Sequence, residues 1–403
     1  MKFNYIANGR LYTYADGKSS EITSRVLDSY LKKVRDAAGR NEWKYTGEGA
    51  AFRGAYQPGM DAESRVSSVS SHIFCADTYN GEIVYSLMID RSSGIYSRRE
   101  DSDTDGIVIS SGDTAYRDFD IDGKRMVLTS AFAGESHIGV LDIGSTSCRV
   151  YTEGHTWDSQ PAWSATEANK IYFCCAGLPL DDGEKEKIEP TMMSYAQIMT
   201  HMFTAANTSA MRGPSSICLL DIERGDMDEL LCDDRYDYTS PQSTRDGSLY
   251  YIRKPYKQQE NSGNGFGCLL DALTMPFRLV GALFGFLNVF SAKYSGKTLT
   301  NSVGTKQRDE EKIFIDGNLI NAEKELRANK SHGDVNPGII PRAWELHCLG
   351  PDGSDTLIKR GVISFRVCEG GDILASNGSA ILRIGTDGKE EKIVDAQKVT
   401  FIK

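Results

Sequence analysis

The chain is poor in the residue groupings from which metal centres and hydrolases are built. Its six histidines, His72, His137, His155, His201, His332 and His347, never pair at ligand spacing, so no metal site is expected. There is no Gly-x-Ser-x-Gly stretch to form a nucleophile elbow. Lys and Arg do not cluster: Lys32-Lys33 and Arg98-Arg99 sit among acids, and the net charge is -10. Binding a nucleic-acid backbone requires grouped cations, so nucleic acid is excluded as the main partner. The opening Met-Lys-Phe-Asn-Tyr-Ile-Ala-Asn-Gly turns polar before an apolar signal core could form, which points to a cytoplasmic protein. Nine cysteines, including Cys75, Cys148, Cys218, Cys348 and Cys368, are scattered, with only Cys174-Cys175 adjacent. An odd count would leave one unpaired in an oxidising compartment, so reduced thiols are expected. No catalytic residue and no cofactor is assigned.

What the chain does have is a repeat. A turn centred on Asp-Gly, a β-branched and aromatic strand, a second strand, another glycine turn and a third strand recur at a period of roughly forty residues. The least interrupted copy runs from Tyr116 through Ser130, then Ser136 to Ile143 and Ser147 to Thr152. Its successor holds Pro161-Ala-Trp-Ser164, Lys170 to Phe173, Ser216 to Ile222 and Asp228 to Leu231. A mean hydropathy of -0.39 with 40% hydrophobic residues allows a large core in a water-exposed fold.

Such a period predicts an all-β chain folded as a six-bladed β-propeller, one domain over residues 1–403. The third blade spans Asp113 to Gly154, the fourth His155 to Tyr236, the fifth Asp237 to Gly361 and the sixth Val362 to Gln397. Phe3 to Ile6, Arg10 to Tyr14 and Ser20 to Thr23, joined at Asn8-Gly9 and Asp16-Gly17, supply three strands of a first blade. Val399 to Lys403 has the length of the missing one, so N- and C-terminal strands are expected to close the ring and remove its open edges. The second blade is assigned to Val66 to Cys75, Glu82 to Ile89, Ile95 to Arg99 and Ile107 to Ser110. This layout resembles the TolB-like, WD40-like (PD40-type) six-bladed propellers, whose repeats carry Pro-x-Trp-Ser-Pro-Asp-Gly. Pro161-Ala-Trp-Ser164 matches the first half of that element, Phe119-Asp-Ile-Asp-Gly123 the second, and Arg245-Asp-Gly247 only the turn. The resemblance implies a binding or scaffolding propeller and transfers no catalytic residue.

Three insertions depart from the repeat: residues 24–65, 177–214 and 256–341. Because successive strands alternate direction, these d-to-a and b-to-c connections all leave one face of the ring, where loops on a rigid scaffold carry function. They are expected to form a helical cap. In the first, Ser24 N-caps a helix over Arg25 to Ala38 ending at Gly39, with Val26, Leu27, Tyr30, Leu31 and Val34 on one face. The second places Met192, Tyr195, Met199 and Met202 at helical spacing, an adaptable surface that could equally fill a groove against the ring. The third runs Phe266 to Ala292, apolar all round except for a narrow stripe of Asp271, Thr274, Arg278, Gly281, Gly285, Asn288 and Ala292. Leu273, Phe277, Phe284, Phe286 and Phe290 lie in its broad apolar face. Asp271, Arg278 and Pro276 argue against a membrane span; an interfacial helix flanked by Lys293 and Lys297, or burial against a partner or second copy, remain as readings. A further helix is expected over Ile320 to Arg327, exposed to solvent.

Asp158 and Asp237 fall at equivalent blade entrances within one residue and, with Trp157 and Tyr238, could line the channel mouth; the alternative is that each caps a turn. The functional expectation is therefore a non-enzymatic interaction scaffold. It docks a partner or second copy through Met192, Met199, Met202, Leu273, Phe277, Phe284, Phe286 and Phe290. The alternatives are an enzyme or small-ligand receptor at the channel mouth, and a cytoplasmic protein recruited to the membrane surface through 266–292.

Overall fold

The computed structural model describes residues 1–52, 61–99, 101–145, 147–178, 212–256, 312–315 and 318–403. Strands β1 (Lys2–Ala7), β2 (Arg10–Ala15) and β3 (Lys18–Ile22) form a meander, followed by helices α1 (Arg25–Glu42), α2 (Gly47–Phe52) and α3 (Ala62–Ser67). A second ladder holds β4 (Ser71–Tyr79), β5 (Glu82–Ile89), β6 (Ser92–Arg98) and β7 (Gly106–Ser111). A third holds β8 (Ala115–Asp122), β9 (Arg125–Phe132), β10 (Glu135–Asp142) and β11 (Arg149–Val150). A fourth holds β12 (Thr156–Trp163), β13 (Lys170–Gly177), β14 (Ser215–Asp221) and β15 (Asp226–Leu231), and one parallel pairing of β12 with β10, Trp157 opposite Ser136, joins it to the third in a single eight-stranded sheet. In the fifth, β16 (Tyr236–Ser243) and β17 (Leu249–Pro255) are separated in sequence from their partners. Between them and β20 (Glu345–Leu349) and β21 (Asp355–Arg360) come the hairpin β18 (Lys312–Ile315) and β19 (Asn318–Asn321) and helix α4 (Ala322–Ser331). The sixth is β22 (Ser364–Val367), β23 (Ile373–Ser376), β24 (Ala380–Ile384) and β25 (Glu390–Asp395). The last strand, β26 (Val399–Ile402), pairs antiparallel with β1, so the first ladder reads β26-β1-β2-β3.

Each ladder is a meander because its turns supply the backbone that tight hairpins need. Asn8-Gly9, Asp16-Gly17 and Asn80-Gly81 all have both residues at positive φ, the conformation that matches the right-handed twist of flanking strands. Within the inner strands the register slips at one place in each of β4, β8, β12 and β16. These bulges turn a side chain sideways toward the next ladder.

Six apolar clusters lie between successive ladders. Leu11, Ile83 and Tyr85 fill the first junction, Phe119, Met126 and Leu141 the second, and Ile138, Trp163 and Phe173 the third. Tyr238 and Tyr251, then Leu346 and Phe365, then Phe3, Ile381 and Val399 fill the rest. Polar bonds follow the same circuit. Asn4 donates to Thr78 Oγ1 (3.0 Å), Ser86 Oγ to the Arg117 carbonyl (2.6 Å), and the Trp163 amide to Asp120 (2.7 Å). The Ser240 amide donates to Gln160 Oε1 (2.7 Å), the Val367 amide to Gln242 Oε1 (2.9 Å), and the Ile402 amide to Ser364 Oγ (3.0 Å). Every ladder is thereby bonded to the next, round to the first. The chain is a β-propeller.

The described parts of the insertions bond to two turns between second and third strands and, at the start of α1, to the connection between β6 and β7. Tyr30 on α1 donates to Asp90 (2.8 Å), in the β5–β6 turn. Asp105 accepts from the Arg25 and Val26 amides (2.7 and 3.1 Å), placing a fully buried carboxylate at the N-terminus of α1, the end that favours negative charge. Ser24 N-caps the helix as expected, accepting from Leu27. Farther along, Asn329 donates to the carbonyls of Gly338 and Ile340, and Asn377, in the β23–β24 turn, donates to that of Asn336. Gly338 lies so close that a Cβ there would stand 2.2 Å from the Asn377 carbonyl oxygen.

Several expected boundaries move. Val66 belongs to α3, because Asp61 caps that helix and carries it to Ser67; β4 therefore starts at Ser71, not Val66. Helix α1 continues through Gly39 to Glu42, since an interior glycine costs only about 1 kcal/mol. Ile320 is a buried strand residue, and α4 begins at Ala322 behind an Asn321 cap. That helix is not wholly exposed, because Ala322 and Asn329 are buried against the 336–340 segment.

Candidate functional site

The four residues expected at the channel mouth divide between two environments. The bulges set the alignment: Ser159 pairs with Cys174 just before one slip, and Thr239 with Ile252 just before the other. Asp158 is thus the counterpart of Tyr238, and Trp157 of Asp237, so the two acids point to opposite faces of their strands. Asp237 is buried and accepts from the Ser215 amide (2.8 Å) and from Arg212 (3.2 Å). Tyr238 is buried against the ring of Tyr251, and burial raises its pKa.

Asp158 is buried between the third and fourth ladders. Thr152 donates to its Oδ2 at 2.5 Å, His137 Nδ1 stands 3.8 Å away, and its Oδ1 has no hydrogen-bond partner. Burial raises its pKa, the bond from Thr152 and the neighbouring Cys175 and His137 opposing that shift only in part. Behind it the Cys175 thiol faces Cys218, whose pKa is lowered by that contact. Glu135 holds His155 at 2.7 Å on the rim. At 3.8 Å Asp158 and His137 share no hydrogen bond through which a proton could pass, and Cys218, only 2% exposed, offers no nucleophile to solvent.

A second cluster was not legible in the sequence. Arg117 of β8 places its guanidinium 4.8 Å from the Phe74 ring of β4 and 5.9 Å from the Trp157 ring of β12. Side chains from three consecutive inner strands meet only on the axis side of the ring, so this is a channel site. His72 joins it, its ring 5.4 Å from Phe74. Burial, and secondarily the charge of Arg117, lower the His72 pKa. An X-Phe and an Asp-flanked Arg carry no motif; only the strand register unites them. Deeper in the channel, Lys403 bridges Asp77 (3.1 Å) and Asp120.

Met192, Met199, Met202, Leu273, Phe277, Phe284, Phe286 and Phe290 lie outside the described residues. Among the described residues no group of His, Cys, Asp or Glu is arranged to hold a metal ion, and no helix is long and apolar enough to cross a membrane.

No family model matches the chain, and no curated protein sequence matches it. Solved structures do resemble it. TolB from Acinetobacter baumannii gives a TM-score of 0.46 at 10% identity, covering 100% of this chain and 64% of that one. The chain thus spans less than two thirds of that TolB. A nidogen/laminin complex gives 0.46 at 7% identity, covering 100% and 97%. Oligogalacturonate lyase from Vibrio parahaemolyticus gives 0.37 at 10%, covering 80% and 79%. At these identities the likeness concerns fold alone; the propeller assignment rests on the strand pairing described above.

Proposed function

We propose that this propeller is an interaction scaffold that docks a protein on the face carrying its insertions, a second copy of the chain being the first partner to test. The observation that carries the reading is the convergence of anchors on that face. Helix α1 seats on the β5–β6 turn, the 336–340 segment seats on the β23–β24 turn, and Tyr256 and Arg212 bond at the remaining two roots. To this the sequence adds 266–292, whose apolar residues exceed what one contact line can cover, and Gly281 and Gly285, which permit close helix crossing. The inner strands support the same reading, since Asp120, Gln160, Gln242 and Ser364 are engaged in holding ladders together.

Light scattering after size exclusion tests it. The expected result is a species of at least twice 44.4 kDa that reverts to monomer when Phe284 and Phe290 are both replaced by Asp, with circular dichroism unchanged. A wild type that is monomeric at all concentrations removes self-docking. Flotation of the wild type on anionic vesicles would transfer the role of 266–292 to lipid.

A further inference from the structure

Arg117 presents a charge without a counterion. Its Nε is buried with no hydrogen-bond acceptor, and among the described residues no carboxylate forms an ion pair with its guanidinium. The nearest acids on its own strand are engaged elsewhere: Asp118 accepts from the Gln160 amide (3.3 Å), and Asp120 from the Trp163 amide and Lys403. Arg117 as a residue is partly buried, and a polar atom such as its Nε that is taken out of water without a partner is costly. Contact with two aromatic rings offsets that cost in part.

We propose that the channel binds a small organic carboxylate, with Arg117 as its bidentate anchor and Phe74, Trp157 and His72 as its walls. The rings contacting the guanidinium come from β4 and β12, the strands on either side of β8. The ring centroids lie 4.8 and 5.9 Å from the guanidinium carbon, and neither ring offers a hydrogen-bond acceptor in its plane, so the N–H donors keep their capacity for a ligand. A guanidinium edge matches the two oxygens of a carboxylate. A phosphate is disfavoured, because its second charge would meet Asp77, Asp118 and Asp120, which lie on the same two inner strands as Phe74 and Arg117. The His72 imidazole offers one further hydrogen bond, and the rings provide apolar surface for the rest of the molecule. This site lies on the ring axis and does not depend on the docking reading.

The probe is benzoate, with benzamide and inorganic phosphate as controls, titrated into the full chain by calorimetry and followed by the histidine ring signals in NMR. The expected result is saturable binding of benzoate, with a shift confined to His72, and none of benzamide. Arg117→Lys should weaken it at least tenfold, since the charge stays but the fork is lost. Arg117→Gln should abolish it while raising the His72 pKa toward the ordinary imidazole value. If Arg117→Gln does not fold, Arg117→Lys and the wild-type controls still decide. Absence of saturable benzoate binding to the wild type overturns the proposal. So does benzoate binding that both substitutions leave unchanged, equal binding of benzamide, or tighter binding of phosphate.

Discussion

Tyr256 donates its hydroxyl hydrogen to the carbonyl oxygen of Arg212 at 2.6 Å. The two residues are the feet of the third and second insertions, and Arg212 in turn reaches Asp237. Replacing Tyr256 by Phe removes the bond but keeps the ring. Stability should fall by about 1 kcal/mol, and amide exchange should quicken selectively at residues 212–215. Exchange that is faster throughout the fourth and fifth ladders would show instead that the bond supports the sheets themselves.

The circuit of inter-ladder bonds can be opened at one point. Gln160→Ala leaves the partly buried Ser240 amide without its acceptor, at an expected cost of about 1 kcal/mol. Gln242→Ala does the same to Val367 one junction on. The two share no partner, so chemical denaturation of the double variant should give the sum of the single losses. A double variant no worse than either single one would mean that the ring already opens after the first break.

Asp158 carries a pH signature. Its folded pKa lies above its unfolded one, so its ionisation opposes folding. That penalty is absent below the unfolded value, grows as pH rises through the folded value, and is full above it. Asp158→Asn keeps an acceptor for Thr152 and removes the charge. Melting curves should show the variant at least as stable as the wild type at pH 8, with a flatter stability profile on the acidic side. A variant that is less stable at pH 8 than at pH 4, relative to wild type, would mean that the charge is stabilised by His137 more than burial opposes it.

The cysteines should sort by position. Cys75 and Cys174 are buried, and burial pushes both thiols far above the ordinary range; Cys148 is pushed up to about 11. Cys232 is exposed. Iodoacetamide applied to the folded protein at pH 8, read by mass spectrometry, should modify Cys232 first among the cysteines of the described residues and leave Cys75 and Cys174 untouched until denaturant is added. Early labelling of Cys174 would contradict its place between the fourth and fifth ladders.

Strand periodicity and glycine turns made most of this fold legible. The sixth blade, expected over Val362 to Gln397, holds Ile373 to Ser376 and Ala380 to Ile384 as largely buried strands, because apolar runs between Gly370-Gly371 and Gly385 have one reading. Val66 misled because Ser and Val before a strand look like more strand, whereas the deciding residue was a helix cap five positions earlier, Asp61. The site was harder still. The near-coincidence of Asp158 and Asp237 suggested equivalence, but a one-residue offset in a strand reverses the face, and only the bulges fix which residue matches which. Arg117, Phe74 and His72 are ordinary in sequence. Their meeting depends on three ladders that no local pattern relates.

The pairing of β26 with β1 also governs timing. During synthesis the first three strands emerge early, yet their inner partner is made only when residues 399–402 leave the ribosome, on the order of 20–80 s later at ordinary elongation rates. Throughout that interval β1 exposes an unpaired edge beside Phe3, Tyr5 and Ile6, all buried once the ladder is complete. The nascent chain is therefore open to strand exchange with a neighbour on the same message, and a chaperone that covers residues 2–7 would act where the longest delay between paired strands described above is built into the topology.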